Sequence, residues 1–148
     1  MPPDFTDSTA GSGARAILVR SERTYRGKQG LTYAEGIFAE NTGATAICMH
    51  LLRIPPGGRA HPHLHAAHET AIYLVAGRVT VLHGDGLAHL DEMRAGDYMY
   101  IPPNTPHVPI NTGDTEAIAV LARTDPNEQE SVVLLPELEA IEPSPPVG

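Results

Sequence analysis

The stretch 55–77, PPGGRAHPHLHAAHETAIYLVAG, decides how the rest of the chain is read. It carries four of the chain's eight histidines, at 61, 63, 65 and 68, with Glu69 directly after them. Imidazole and carboxylate are the ordinary nitrogen and oxygen ligands of a first-row divalent metal. Side chains alternate faces along an extended strand, so His61, His63, His65 and Glu69 share one face and His68 takes the other. A strand face crowded with metal-ligand types is poorly suited to packing into an apolar core. On this stretch alone, a solvated histidine-rich loop that picks up metal incidentally competes with a built site. A partner from elsewhere in the chain has to decide between them.

On the N-terminal side lies ATAICMHLLRI (44–54), a strand pattern ended by Pro55-Pro56-Gly57-Gly58. On the C-terminal side, short apolar or alternating runs follow at spacings near ten: 71–75, 78–83, 87–94, 98–101, 107–110 and 117–122. Gly84-Asp85-Gly86, Ala95-Gly96-Asp97, PPNTP (102–106) and Asn111 to Asp114 punctuate them as turns. Fourteen glycines and fourteen prolines fit many short strands rather than long helices. The pattern is that of an all-β sandwich or barrel. Residues 16–19, AILV, and 30–40, GLTYAEGIFAE, read as further strands at its N-terminal side.

The chain has 148 residues, enough for one domain with a proper core. Residues 1–14 read as a disordered tail, 15–125 as the barrel, and 126–148 as an extension, partly docked through SVVLLPEL (131–138) and disordered from Glu142 to Pro146. A net charge of −8 with only ten lysines and arginines argues against a nucleic-acid or anionic-membrane surface. The single cysteine, Cys48, excludes an intramolecular disulfide framework and a cysteine-based zinc module. With no transmembrane-length apolar run and no signal pattern, the expected location is the cytoplasm.

The deciding partner is GDYMYIPPNTPHVPIN (96–111). Pro102, Pro103, Pro106 and Pro109 stiffen the backbone around His107, because each ring fixes φ. Rigid presentation of one ligand is what a preorganised site needs. With this second motif the chain resembles the cupin superfamily of small jelly-roll barrels. The first cupin motif runs Gly, five residues, His-x-His, three or four residues, Glu, six residues, Gly; Gly57, His63, His65 and Glu69 match it, and Gly77 closes it one residue late. The second runs Gly, five residues, Pro-x-Gly, two residues, His, three residues, Asn; Gly96, Pro102, His107 and Asn111 match, with Asn104 in place of the glycine. Asn tolerates the left-handed conformation that the turn requires.

The resemblance implies a single-domain jelly roll holding one divalent transition metal on His63, His65, Glu69 and His107. The extra residue before Gly77 bears on Glu69, because an insertion flips the face of whatever lies on one side of it. Placed after Glu69 it leaves the ligand set intact; placed near Ala66-Ala67 it turns His68 inward and demotes Glu69. Glu69 is the expected ligand and His68 the alternative. His61 reads as a rim residue near the substrate. His50, His83 and His89 read as surface or ordinarily satisfied histidines.

Four protein ligands would saturate tetrahedral zinc, whereas octahedral Mn, Fe, Ni or Co would keep two positions open. Zinc or copper can still load, because affinity alone does not select. Asn111 and Asp97 are candidates for orienting hydrogen bonds. Tyr98, Tyr100 and Tyr73 are the candidate catalytic phenols, as acid, base or orienting donor. No nucleophile pair or phosphate loop accompanies the motifs. The expected function is therefore metal-dependent chemistry on a small oxygen-chelating organic substrate, of oxygenase type. The alternatives are a sugar isomerase or epimerase, which needs a phosphate-binding cation from among Arg53, Arg59, Arg78 and Arg94, and a non-catalytic ligand- or metal-binding module. Metal affinity should fall as the histidines protonate, from around pH 6.5 downwards. A homodimer is expected, joined by strands exchanged or added at sheet edges by 16–19 and 131–138.

Overall fold

The computed structural model describes residues 13–127 and 129–143. Eleven short strands among these residues form two antiparallel sheets. The first sheet holds β1 (Thr24–Arg26), β2 (Thr32–Ile37), β3 (Cys48–Ile54), β10 (Ala117–Arg123), β5 (Thr70–Ala76) and β8 (Tyr98–Ile101), paired in the order β1-β2-β3-β10-β5-β8. The second is β11-β4-β9-β6-β7, from β11 (Val132–Leu134), β4 (His63–His65), β9 (His107–Ile110), β6 (Arg78–His83) and β7 (His89–Arg94). The chain is an all-β jelly roll, and among the described residues no strand pairing joins the two sheets edge to edge. A four-residue helix, Ala39–Thr42, follows β2.

The inner faces of both sheets meet in one core of Leu31, Tyr33, Leu52, Ile54, Leu74, Val79, Val81, Met93, Ala119 and Leu121. Alternation builds it: in β3 and β10, every second residue is buried. β6 departs from alternation because it is covered on both sides. Val79 and Val81 face the main core, while Leu82 joins Leu87, Val108 and Ile110 in a second cluster under Leu138 and Ile141 of the C-terminal segment.

The turn residues fall where backbone strain requires them. Gly77 has φ +79°, and an added Cβ would lie 2.8 Å from the Glu116 carbonyl oxygen and 2.9 Å from Ala117 Cα. Asn104 takes the left-handed conformation at φ 61°. Asn111 is buried and ties its own turn to β3, donating to the Ile54 and Thr115 carbonyls at 2.8 Å each and accepting from Gly113 N–H at 2.9 Å.

Two local expectations need correction. Residues 16–19 form no strand and are largely exposed; the first strand is Thr24–Arg26. Glu142, expected in a loose end, pairs with Arg59 at 2.9 Å. Run 131–138 docks as expected: β11 pairs along β4 at the sheet edge, and so borders the histidine strand, and Leu138 packs on the second cluster. The tail 1–12 and the end 144–148 lie outside the described residues. Among the described residues, no helix is long and apolar enough to cross a membrane.

Candidate metal centre

β4 and β9 pair directly at His63 and His107, so the two motifs meet through one strand register. His63, His65 and His107 are all buried, and one ring nitrogen from each falls within 4.8 Å of the others. Their ring centroids are 4.2 Å apart for His63 and His107, 5.2 Å for His63 and His65, and 5.5 Å for His65 and His107.

The backbone sets the tautomers. His63 Nδ1 lies 2.7 Å from the His61 carbonyl oxygen, and His107 Nδ1 lies 2.9 Å from that of Thr105. A carbonyl oxygen only accepts, so both Nδ1 atoms carry the proton and both Nε2 atoms keep a lone pair. His65 Nδ1 meets Ser131 Oγ at 3.3 Å, while its Nε2 is buried without a hydrogen-bond partner. A buried ring nitrogen left without a partner beside two other imidazoles is costly, and a cation bound there in the tautomer with Nδ1 protonated removes that cost. The donor set fits a divalent transition metal.

Burial keeps these groups neutral. The His63 imidazolium is held well below its ordinary range first by desolvation and then by His107. His65 is driven down by desolvation and by Arg123. Desolvation brings His107 to about 4 and, with Arg123, His50 to about 4. Protons therefore compete for these nitrogens at lower pH than the ordinary 6.5, which moves the expected onset of metal loss downwards.

The same shifts make the metal-free protein pH-sensitive. In the unfolded chain a histidine protonates near 6.5, while the folded state resists until about 4 for His50. The unfolded state thus binds more protons between these values, and stability is complete above about 6.5 and falls as pH drops towards 4. A shift of this size in one group is worth about 3 kcal/mol. The urea midpoint of metal-free protein should be level above pH 7 and fall steeply between 6.5 and 4. A level midpoint across that window would contradict neutral burial.

Glu69, expected as the fourth ligand, is not in the cluster. A turn at Ala66-Ala67 absorbs the extra residue: Ala67 has φ 63°, and its N–H donates to Asn104 Oδ1 at 3.0 Å. Asn104 N–H also donates to the His65 carbonyl at 3.0 Å, so the second motif clamps the turn. Past it the alternation has reversed, and Thr70 is buried while Glu69 is exposed and accepts from Tyr100 Oη at 2.7 Å. His68, the alternative, is half-buried and its ring nitrogens lie outside the cluster. His61 is exposed and pairs with Glu139 at 3.0 Å.

The three candidate phenols also need correction. Tyr73, Tyr98 and Tyr100 stand on the outer face of the first sheet, because Ile72, Leu74 and Ile101 take the inner positions. Asn111 and Asp97 hold turns instead of orienting a ligand; Asp97 Oδ2 accepts from Arg94 N–H at 2.8 Å.

What lines the cavity had not been expected. It measures about 50 Å3, and His63, His107, Thr70, Arg123 and Tyr33 face it beside Leu52, Ile72, Leu74 and Val81. Arg123 Nε donates to Thr70 Oγ1 at 3.0 Å. Burial pushes the Tyr33 phenol up to about 12, against the opposing pull of Arg123 and Gln29. Arg123 was legible: it continues the inward series Ala117, Ala119, Leu121. Arg53, Arg59, Arg78 and Arg94 do not line this cavity.

Residues 50–122 match the family model of the cupin domain. The chain is similar to oxalate decarboxylase of Lactobacillus farciminis, solved as a formate complex (25% identity, TM-score 0.65), covering 76% of this chain and 33% of that one. It is similar to the polyketide cyclase RemF of Streptomyces resistomycificus (21%, TM-score 0.62; 82% and 85% covered). It is also similar to a recombinant oxalate oxidase solved with glycolate (22%, TM-score 0.64; 80% and 62% covered). The chain thus spans about a third of the oxalate decarboxylase. No curated protein matches the chain.

Proposed function

Taking as premise that the chain belongs to the cupin superfamily, we propose that it is a mononuclear metal enzyme acting on a compact oxygen-chelating organic acid, with oxygenase-type chemistry. The observation that carries this reading is the convergence of three buried, neutral imidazoles on one point. His63, His65 and His107 would hold the ion. Three nitrogen donors leave one position open on a tetrahedral ion and three on an octahedral one, so zinc joins Mn, Fe, Co and Ni as a candidate for an open site. When bound, such an ion supplies Lewis acidity, and a redox-capable one electron transfer to dioxygen.

The chain's own groups favour a small acid. A volume of about 50 Å3 takes roughly four water-sized groups, which suits a molecule of a few heavy atoms and not a sugar phosphate. The Arg123 guanidinium and Thr70 hydroxyl border that space and can orient carboxylate oxygen. Tyr33, protonated up to about pH 12, serves there as a hydrogen-bond donor and not as a base. Leu52, Ile72, Leu74 and Val81 exclude water and so strengthen each polar contact. Formate and glycolate, held by the similar oxalate decarboxylase and oxalate oxidase, are acids of this size.

The test loads tag-free protein separately with Mn, Fe, Co, Ni and Zn and supplies acids of one to three carbons under air. Oxygen uptake or CO2 release with at least one pair, abolished in His107→Ala, is the expected result. Stoichiometric metal with no turnover of any acid would contradict the enzyme reading and favour the binding module.

A further inference from the structure

Strand register draws a line of imidazoles across the second sheet. His63 stands opposite His107, His107 opposite His83, and His83 opposite His89, so β4, β9, β6 and β7 each contribute one histidine to a single row. Burial grades along it: His63 and His107 are buried, His83 is half-buried and His89 is exposed. His83 continues the inward series of Val81, and Asp91 and His89 continue that of Met93; both Val81 and Met93 lie in the main core. The outer two histidines therefore stand where the inner face of the sheet runs out of the core into solvent, at the mouth of the barrel.

We propose that His83, Asp91 and His89 form a second, exchangeable site for a divalent first-row ion, through which the buried centre is loaded. The loading role rests on the three-histidine reading above; the site itself does not. His83 Nε2 and Asp91 Oδ2 lie 2.7 Å apart. Two donor atoms bound side by side on one ion, each at about 2.0–2.2 Å, are themselves about 3 Å apart, so this pair changes from hydrogen bond to chelate with little movement. The His89 ring stacks on that of His83, with centroids 5.5 Å apart, and supplies the third donor. It lies over Gly84, where an added Cβ would come 2.7 Å from its Cδ2. From that exposed position a rotamer change, with no backbone movement, turns a ring nitrogen toward the pair. Two imidazoles and one carboxylate suit such an ion and leave positions for water. The hairpin carrying them is fixed to the second motif, because Gly84 N–H donates to the Pro106 carbonyl at 3.0 Å, beside His107. With strands about 4.8 Å apart, a site between β6 and β7 is about 10 Å from the centre between β4 and β9. Charge gives the mouth its use. The cavity lining holds the Arg123 cation and no carboxylate, so it repels an approaching ion, whereas Asp91 attracts one.

Equilibrium dialysis of the tag-free full chain against excess Co(II) counts the ions, before and after desalting. Wild type should hold two per chain in dialysis and keep one after desalting. His107→Ala should hold only the mouth ion, and the double variant His89→Ala, Asp91→Asn only the buried one. Both positions of the double variant are exposed, so its circular dichroism should stay that of wild type. Loading is timed as cobalt that survives a brief chelator wash. The double variant should load at least roughly 10-fold more slowly, since a lost ligand costs no less than a lost outer hydrogen-bond partner, and reach the same final content. A wild type with a single ion that the double variant keeps would overturn the second site. A single ion that the double variant loses and His107→Ala keeps would support the mouth site and contradict the buried centre instead. Equal loading rates would overturn the loading role.

Discussion

His63→Ala or His107→Ala reduces metal from about one ion per chain to a trace, while Glu69→Gln leaves it unchanged. Among the described residues, each histidine contributes one of three donors within 4.8 Å of one another, and the cavity lining holds no carboxylate to replace it. With one imidazole gone, a weaker neutral oxygen donor has to replace a nitrogen ligand that the first-row divalent ions prefer. The loss should therefore exceed the roughly 10- to 100-fold that removing an outer hydrogen-bond partner costs. Ser131→Ala removes such a partner from His65 and should fall in that lesser range. Glu69 stands on the opposite face with Tyr100, so its carboxylate has no part in the series. Equilibrium dialysis with a chromophoric chelator gives all four affinities. Loss of metal in Glu69→Gln at the level of the histidine variants would contradict the placement of the Ala66-Ala67 turn.

The second large effect is on stability. Asn111→Ala deletes two hydrogen bonds to backbone carbonyls and one from a backbone N–H, all inside a fully packed site. The Ile54 carbonyl bond is buried, and it ties the turn after β9 to the end of β3. A hydrogen bond is worth about 1 kcal/mol net, but a buried group left unsatisfied costs about 1–3 kcal/mol. The expected destabilisation is about 3–5 kcal/mol, a fall of roughly 10 °C in melting temperature for a domain of this size. Asn111→Asp, which keeps the acceptor for Gly113 but replaces the NH2 that makes both donations with one oxygen repelling the two carbonyls, should be at least as damaging. Thermal melts of the metal-free proteins measure both. A loss under about 1 kcal/mol in either would contradict the role given to this side chain.

How much of this was legible follows from particular residues. Both motifs survive as spacings because they encode backbone needs: Asn104 and Gly77 occupy positive φ, and His63 and His107 sit opposite each other in one register. Glu69 was misplaced because parity counts only along unbroken strand, and Ala67 breaks it at a residue type that seldom takes φ 63°. The one cue lay 37 positions away, in the Asn104 side chain that holds the turn. Tyr73, Tyr98 and Tyr100 share a face as alternation requires, but alternation does not say which face is inner when both are apolar. Met99 and Ile101 decided that for β8. Arg123 has the inward parity of Ala117, Ala119 and Leu121 but lies one residue beyond the run read as strand, 117–122. Thr24–Arg26 carries too little apolar content to stand out as a strand.

The most direct measurement is the ligand set of the metal itself. X-ray absorption at the metal edge, on tag-free protein loaded with one cobalt or zinc per chain, counts imidazoles by their multiple scattering. The structure predicts three imidazole ligands with any remaining positions held by exchangeable small oxygen donors. A carboxylate from the protein, fewer than three imidazoles, or no ion retained after desalting would contradict the three-histidine centre on which the proposed chemistry stands.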